Sequence, residues 1–170
     1  MSSWNLLQMM RNHLQPPLES LLLPVRGRAA TGCPVKPEHE RVPSLRCPKI
    51  FLGAMPPTIK DAMESVPFVV VQALDGFDAN GLHRVRVALR LCIVGDDLEE
   101  GEEDLQNFIS TLRLSLLSLP DGLLNGRFRM VEDEQGRLGF WERPDEQAYP
   151  FLQAHIFTTW EMQGVTNVTV

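Results

Sequence analysis

From Leu82 to Val94 the chain alternates strictly between two kinds of side chain. Val85, Val87, Leu89, Leu91 and Ile93 share one parity, while Arg84, Arg86 and Arg90 share the other. A strand points successive side chains to opposite faces. The pattern therefore predicts a strand with one face against a core and the other face cationic. Such a strand belongs in an antiparallel sheet covered on one side only.

The flanking residues extend this reading. Val66 to Leu74 is rich in β-branched and aromatic residues, which suits a buried strand. Asp78-Ala79-Asn80-Gly81 lies between the two runs, and Asn80-Gly81 supplies the positive φ angles of a tight hairpin. The two strands are expected to pair antiparallel. After the arginine strand, Asp96, Asp97, Glu99, Glu100, Glu102, Glu103 and Asp104 form an acidic cluster. It opens a helix expected from about Glu102 to Ser118, where negative charge complements the helix dipole. Leu105, Phe108, Ile109, Leu112 and Leu116 make that helix's apolar stripe. The carboxylate spacing does not match an EF-hand loop, so a solvated helix start is the reading preferred to a cation site.

Elsewhere the periodicity is shorter. Leu6, Met9, Met10, His13 and Leu14 predict a helix over Asn5 to Gln15, ended by Pro16-Pro17. Leu18 to Leu23 reads as another helical turn, and Thr58 to Met63 as one or two more. Lys49 to Ala54 and Gly126 to Val131 are strand candidates. Glu134-Gln135-Gly136 reads as a hairpin turn into Leu138 to Trp141. Phe151 to Met162 is a long strand, with Leu152, Ala154, Ile156, Thr158, Trp160 and Met162 on one face. Gln153, His155, Phe157, Thr159 and Glu161 share the other. The expected fold is α+β: a mainly antiparallel sheet, an amphipathic helix packed on one face, and a short N-terminal helix. The 170 residues suffice for a single domain over 1–170.

One stretch stands apart. Residues 24–48 hold Pro24, Pro34, Pro37, Pro43 and Pro48, and are basic through Arg26, Arg28, Lys36, Arg41 and Arg46. A loop this long is functional or disordered. It reads either as a surface loop or as an arm that orders against a partner.

Charge and composition narrow the function classes. A net charge of -6 argues against bulk attraction to nucleic acid or anionic membrane. No apolar run approaches a bilayer span, and the first residues lack a signal-peptide pattern, so a cytosolic site of synthesis is expected. Cys33, Cys47 and Cys92 are three in number with no CxxC pair, which fits reduced thiols. Cys33 and Cys47 flank His39, short of the four closely spaced ligands of a structural zinc site. No phosphate-loop, dinucleotide, zinc-protease or nucleophile-elbow motif is present. The four histidines, His13, His39, His83 and His155, fall in separate segments. Cys92 with His83 or His155 would make a nucleophile–base pair only if the fold brought them together. No catalytic, metal or cofactor residues are assigned, and the chain is expected not to be an enzyme.

The arginine face has two readings. It is the solvent side of a half-covered sheet, its charges answered by acidic residues on neighbouring strands, or it is a contact between subunits. The carboxylates near Asp96 and Asp97 would serve as partners in head-to-tail packing.

The order of segments resembles a known family. Lys49-Ile50-Phe51-Leu52-Gly53-Ala54-Met55-Pro56-Pro57 is followed by Val66-Pro67-Phe68-Val69-Val70-Val71. Cys92-Ile93-Val94-Gly95, Asp104-Leu105-Gln106-Asn107-Phe108-Ile109, Tyr149-Pro150-Phe151 and Thr158-Thr159-Trp160-Glu161 come next. Over about Lys49 to Met162 this resembles the tail-terminator, or tail-completion, proteins of long-tailed bacteriophages and their prophage relatives. The resemblance implies a structural virion protein in the tail, assembled in the host cytoplasm. It implies a homo-oligomeric ring, typically a hexamer, that caps the tail tube, ends its polymerisation and presents a head-joining surface. The implied partners are the major tail tube protein and a head–tail connector or neck protein, with DNA passing through without specific binding and no membrane involved. Tight phosphate binding would stall that passage. Arg84, Arg86 and Arg90 are therefore expected at the subunit interface with Asp96 and Asp97, rather than in the channel. Arg26, Arg28, Lys36, Arg41 and Arg46 form the candidate partner-binding arm. Another neck protein, or an α+β enzyme or ligand-binding domain with a pocket near Cys92 and His155, are the alternatives.

Overall fold

The structure is a computed structural model, and it describes residues 2–25, 44–54, 66–95, 98–147 and 150–163. The fold is α+β, with two helices on one face of a curled, mostly antiparallel sheet. In chain order the elements are α1 (Ser3–Glu19), β1 (Leu23–Val25), β2 (Ser44–Arg46), β3 (Lys49–Leu52), β4 (Phe68–Ala79) and β5 (Leu82–Val94). α2 (Leu98–Leu117), a 3-10 turn at Pro120–Gly122, β6 (Leu123–Leu124), β7 (Phe128–Val131), β8 (Gly139–Glu142) and β9 (Phe151–Gln163) follow. The main sheet has 7 strands among the described residues, in the order β3-β4-β5-β9-β7-β6, with β8 also on β9. Among the described residues only β3 with β4 is parallel; the other ladders are antiparallel. β1 and β2 form a separate antiparallel pair.

β5 spans the residues that the alternation predicts, and it lies between β4 and β9. Its apolar parity is fully buried, and its Arg84, Arg86 and Arg90 are exposed. The hairpin turn is as expected: Asn80 has φ 53° and Gly81 has φ 75°. Both central positions thus sit in the left-handed region, which matches the twist of the flanking strands.

The core lies between the sheet and both helices. α2 contributes Leu105, Phe108, Ile109, Leu112 and Leu116, all buried. Each such side chain contributes about 1.5–3 kcal/mol when fully removed from water. α2 begins four residues before the expected start at Glu102, because Glu99 and Glu100 suit a first helical turn. Gly101 lets this turn approach the sheet: a Cβ there would lie 2.9 Å from the Cα of Gly95 and 2.7 Å from Leu152 Cδ1.

α1 corrects the expected end at Gln15. It runs through Pro16 and Pro17 to Glu19. Those prolines have no N–H for the carbonyls of Asn12 and His13, a loss that costs most in a helix interior. Here they fall in the final turn, and Leu18 is 1% exposed, extending the stripe of Leu6, Met10 and Leu14. Burial of that last leucine holds the turn together. Of the suggested extra turn at Leu18–Leu23, Leu18 and Glu19 are helical as the end of α1, and Leu23 opens β1. α1 is tied to α2 by His13, whose Nε2 lies 2.9 Å from the carbonyl oxygen of Ser115.

β4 is longer than expected. It continues past Leu74 to Ala79 through a bulge, with Ala73 opposite Val87 and Asp75 opposite Arg86. Leu74 is the extra residue, and it turns every later β4 side chain over to the other face.

β7 and β8 do not form the expected hairpin. Both pair with β9, end to end along one side: β7 faces Glu161 to Thr159, and β8 faces Thr158 to His155. Residues 132–138 are an excursion between them. Gly136 N–H donates to the Asp133 carbonyl at 3.0 Å, so a turn does form, but it returns the chain in line rather than back on itself. The suggested turns at Thr58–Met63 and most of the loop at 24–48 lie outside the described residues.

Candidate functional site

The sheet face opposite the helices carries the charged residues. Two of the arginines are paired within the chain. Arg84 Nε donates to Glu161 Oε1 at 2.7 Å, between register partners on β5 and β9. Arg86 Nε donates to both Asp75 carboxylate oxygens, at 2.9 and 3.1 Å, and its Nη2 donates to Oδ2 as well. The hydrogen bond from Arg86 holds the Asp75 carboxyl below its usual range, against a small opposing effect of burial. Both pairs are solvent-accessible, and such pairs contribute about 0.2–1 kcal/mol. Arg90 is exposed between Val70 and His155, without a carboxylate partner among the described residues.

Beside these pairs runs an aromatic row. Phe140 of β8 stacks on Phe157 of β9 with centroids 4.9 Å apart and planes at 20°. His155 meets the edge of Phe157 at 6.1 Å. The Arg137 guanidinium lies 3.8 Å from the Phe140 centroid, which is within cation–π range. Arg137 is held there by Asp133, whose Oδ2 accepts from Nε at 2.9 Å. Asp133 also accepts backbone N–H bonds from Gln135 and Arg137 at 2.9 Å each, which fix the 132–138 excursion. The Arg137 side chain, then these backbone donors, keeps the Asp133 carboxyl below its usual range.

The excursion rises over the sheet and encloses a cleft of about 730 Å³. Asp75, Arg84 and Arg86 line one wall, Glu132, Glu134 and Arg137 another, with Phe140 and Phe157 among the remaining lining residues. The cleft does not include Cys92 or His155, so it is not the pocket expected near those residues.

Cys92 is on the arginine parity but at the covered end of that face. It is buried with Val66, Phe68, Val70 and Val94, against Phe51 and Phe151. Burial pushes its thiol up to about 12. A thiol so held is protonated at neutral pH and is a poor nucleophile. His83 sits nine residues away along β5, about 30 Å at ~3.3 Å per residue, and its Nδ1 is 2.8 Å from Asp78 Oδ1. His155 lies opposite Arg90, one diagonal from Cys92 on the shared face. Burial, then the Arg90 charge, lowers its pKa, and Glu142 opposes this. No hydrogen bond joins it to Cys92.

Asp96 and Asp97, and Arg26, Arg28, Lys36 and Arg41, lie outside the described residues. Arg46 is on β2 opposite Leu23, half-buried and engaged in contacts of its own. The acidic helix start is partly tied down, since Arg143 Nη1 donates to Glu102 Oε2 at 2.7 Å. Among the described residues no group of three or more His, Cys, Asp or Glu is placed to hold a metal ion. No helix of the described residues is long and apolar enough to cross a membrane.

Sequence reasoning missed Asp75 as the partner of Arg86, and it missed the Arg137–Phe140–Phe157 stack. Gly76, next to Asp75 between the Val69–Val71 run and the hairpin turn, was the available signal for the first, since glycine in a strand marks a bulge. The second depends on where β8 docks and had no local signal. Geometrically the face is a paired-charge, aromatic surface on a two-layer α+β scaffold. Compared with known proteins, the chain matches no family model and no curated relative.

Proposed function

We propose that this chain is the subunit of a ring that caps a phage tail tube, ends its polymerisation and offers the surface for joining the head. The observation that carries the reading is spatial. The segments that resemble tail-terminator proteins fall on β3, β4, β5, α2 and β9. Those four strands are neighbours in one sheet, and α2 packs on two of them, β5 and β9. Segments scattered over about 110 residues of sequence thus form one continuous unit, as a shared domain requires.

The role of the arginines is narrower than the alternation suggests. Arg84 and Arg86 have carboxylates in their own chain. Like-charge repulsion on this face therefore does not by itself demand a second subunit. Of the three β5 arginines, Arg90 retains an open valence for a neighbour among the described residues, and Arg84 and Arg86 would enter an interface as neutralised pairs.

The test is assembly. Purified protein is mixed with polymerising major tail tube protein and viewed by electron microscopy. The reading expects shorter tubes with a ring at one end, and a hexameric mass by light scattering for the isolated ring. Tubes of unchanged length with bare ends sink it. The 730 Å³ cleft supports a second reading, a ligand-binding domain. A monomer that saturably binds a small molecule at this cleft, with no effect on tubes, would favour that reading.

A further inference from the structure

Among the described residues, β8 leaves an open sheet edge. Its inner side pairs with β9, and among the described residues no strand takes its outer side. β7, in line with it, has its outer side taken by β6. At the far edge of the sheet, Lys49 of β3 is already engaged in contacts. Beside the open edge, Leu138 is 42% and Trp141 is 36% exposed. An unpaired edge offers a row of main-chain donors and acceptors, and proteins usually blunt it with lysine, proline or a covering element. Leu138-Gly139-Phe140-Trp141 has none of these side chains; the charge and proline come only at the end of the edge, at Glu142 and Pro144.

A sequence of strand-forming composition follows β9. Residues 164–170 read Gly-Val-Thr-Asn-Val-Thr-Val, uncharged and dominated by β-branched residues. They lie outside the described residues. Such a segment suits an edge whose first three residues are uncharged and which carries the exposed apolar side chains Leu138 and Trp141. Chain length disfavours pairing with β8 of its own chain. β9 ends at Gln163, level with Leu82, whereas β8 lies beside Thr158 to His155. Returning there means retracing about 17–26 Å at ~3.3 Å per residue, around β6. Seven extended residues reach about 23–25 Å, so little length would remain for pairing.

We propose that residues 164–170 of one copy add as a strand to the outer edge of β8 in a second copy. The inference rests on the self-association in the ring reading, and it names one contact within it. That contact is main-chain hydrogen bonding flanked by Phe140 and Trp141 on opposite faces, and it is independent of the arginine face.

The experiment compares the full chain with a chain ending at Gln163 and with Trp141→Lys, by sedimentation velocity across concentration. Circular dichroism and Tm check that each variant folds. Both variants should weaken self-association by at least about tenfold with the fold intact. A Val168→Cys chain mixed with a Leu138→Cys chain should yield mixed disulfide dimers under mild oxidation, above the yield of either alone. Unchanged assembly in both variants overturns the strand addition and leaves the ring reading standing. A full chain that stays monomeric and gives no mixed disulfide also overturns it, while tube capping judges the ring reading separately.

Discussion

Asp75 stands opposite Arg86 because β4 carries one extra residue, Leu74, between that pair and the buried half of the hairpin. In a regular ladder Leu74 would face Arg86, and Asp75 would point into the core. The bulge places a carboxylate on the charged face and keeps an unpaired charge out of the apolar layer, where it would be costly.

The pair sets a pH dependence. The Asp75 carboxyl titrates below its usual range because Arg86 binds its ionised form. A lowered carboxyl pKa contributes stability above the unfolded value, and that stability is lost as pH falls through the folded value. Asp75→Asn should lower stability at pH 7 by less than about 1 kcal/mol, as expected of an exposed pair. The difference from the parent should close as the pH is taken below about 4. Tm measured across pH for both proteins checks it.

Asp104 should act with the opposite sign. Burial, then Glu103 and Glu100, raises its pKa. The folded state therefore holds the proton more tightly than the unfolded chain, and stability declines as pH rises through the window just above the ordinary Asp value. Asp104→Asn should raise Tm at pH 7, and the gain should shrink on acidification. A lower Tm for the variant at pH 7 would show that helix-dipole attraction dominates at this position instead.

The buried polar pair on β9 is a sharper test of the core. Trp160 is 0% exposed, and its indole N–H donates to Thr158 Oγ1 at 2.8 Å. Thr158→Val keeps the volume and orphans the indole. It should cost about 1–3 kcal/mol in denaturant unfolding. Thr158→Ser, which keeps the acceptor, should cost less.

Gly101 sets two known effects against each other. Alanine is favoured over glycine in a helix by about 1 kcal/mol. A Cβ at 101 would meet the Gly95 backbone at 2.9 Å, too close for a side chain to yield. Overpacking of this kind costs about 1–3 kcal/mol. Gly101→Ala should therefore be net destabilising in a thermal melt, although nearly any isolated-helix scale ranks it as an improvement.

Cys92 should resist alkylation. With its thiol pushed up to about 12 and buried, its thiolate fraction at pH 8 is very small. Mass spectrometry after iodoacetamide should find Cys92 unmodified in folded protein and modified once the chain is unfolded. Rapid labelling of the folded chain at Cys92 would show that the cluster around it opens readily.

How much was legible in the sequence depended on the range of the forces involved. β5 could be read to its ends because its period of two depends only on which face is buried. The Asn80-Gly81 turn and the α2 stripe were equally local. The bulge at Leu74 was not, because an inserted residue breaks the parity on which the reading rests. α1 passed through Pro16-Pro17 because Leu18 found a tertiary site that no local rule anticipates. β7 and β8 read as hairpin partners because a turn sits between them. Their actual partner, β9, lies far along the chain, and long-range pairing leaves no mark in the turn itself. The Cys92 site failed as a nucleophile for the same reason: only the packing at the end of the sheet reveals how dry it is.

The in-line arrangement of β7 and β8 has a consequence for how this domain can diversify. The two segments hold β9 like two hands on one rail, and what lies between them bears no share of the ladder. Residues between Asp133 and Arg137 can lengthen, shorten or change charge while each flanking segment keeps its own register. The surface above the sheet can thus be rewritten to suit a new neighbour, and the scaffold beneath it need not change.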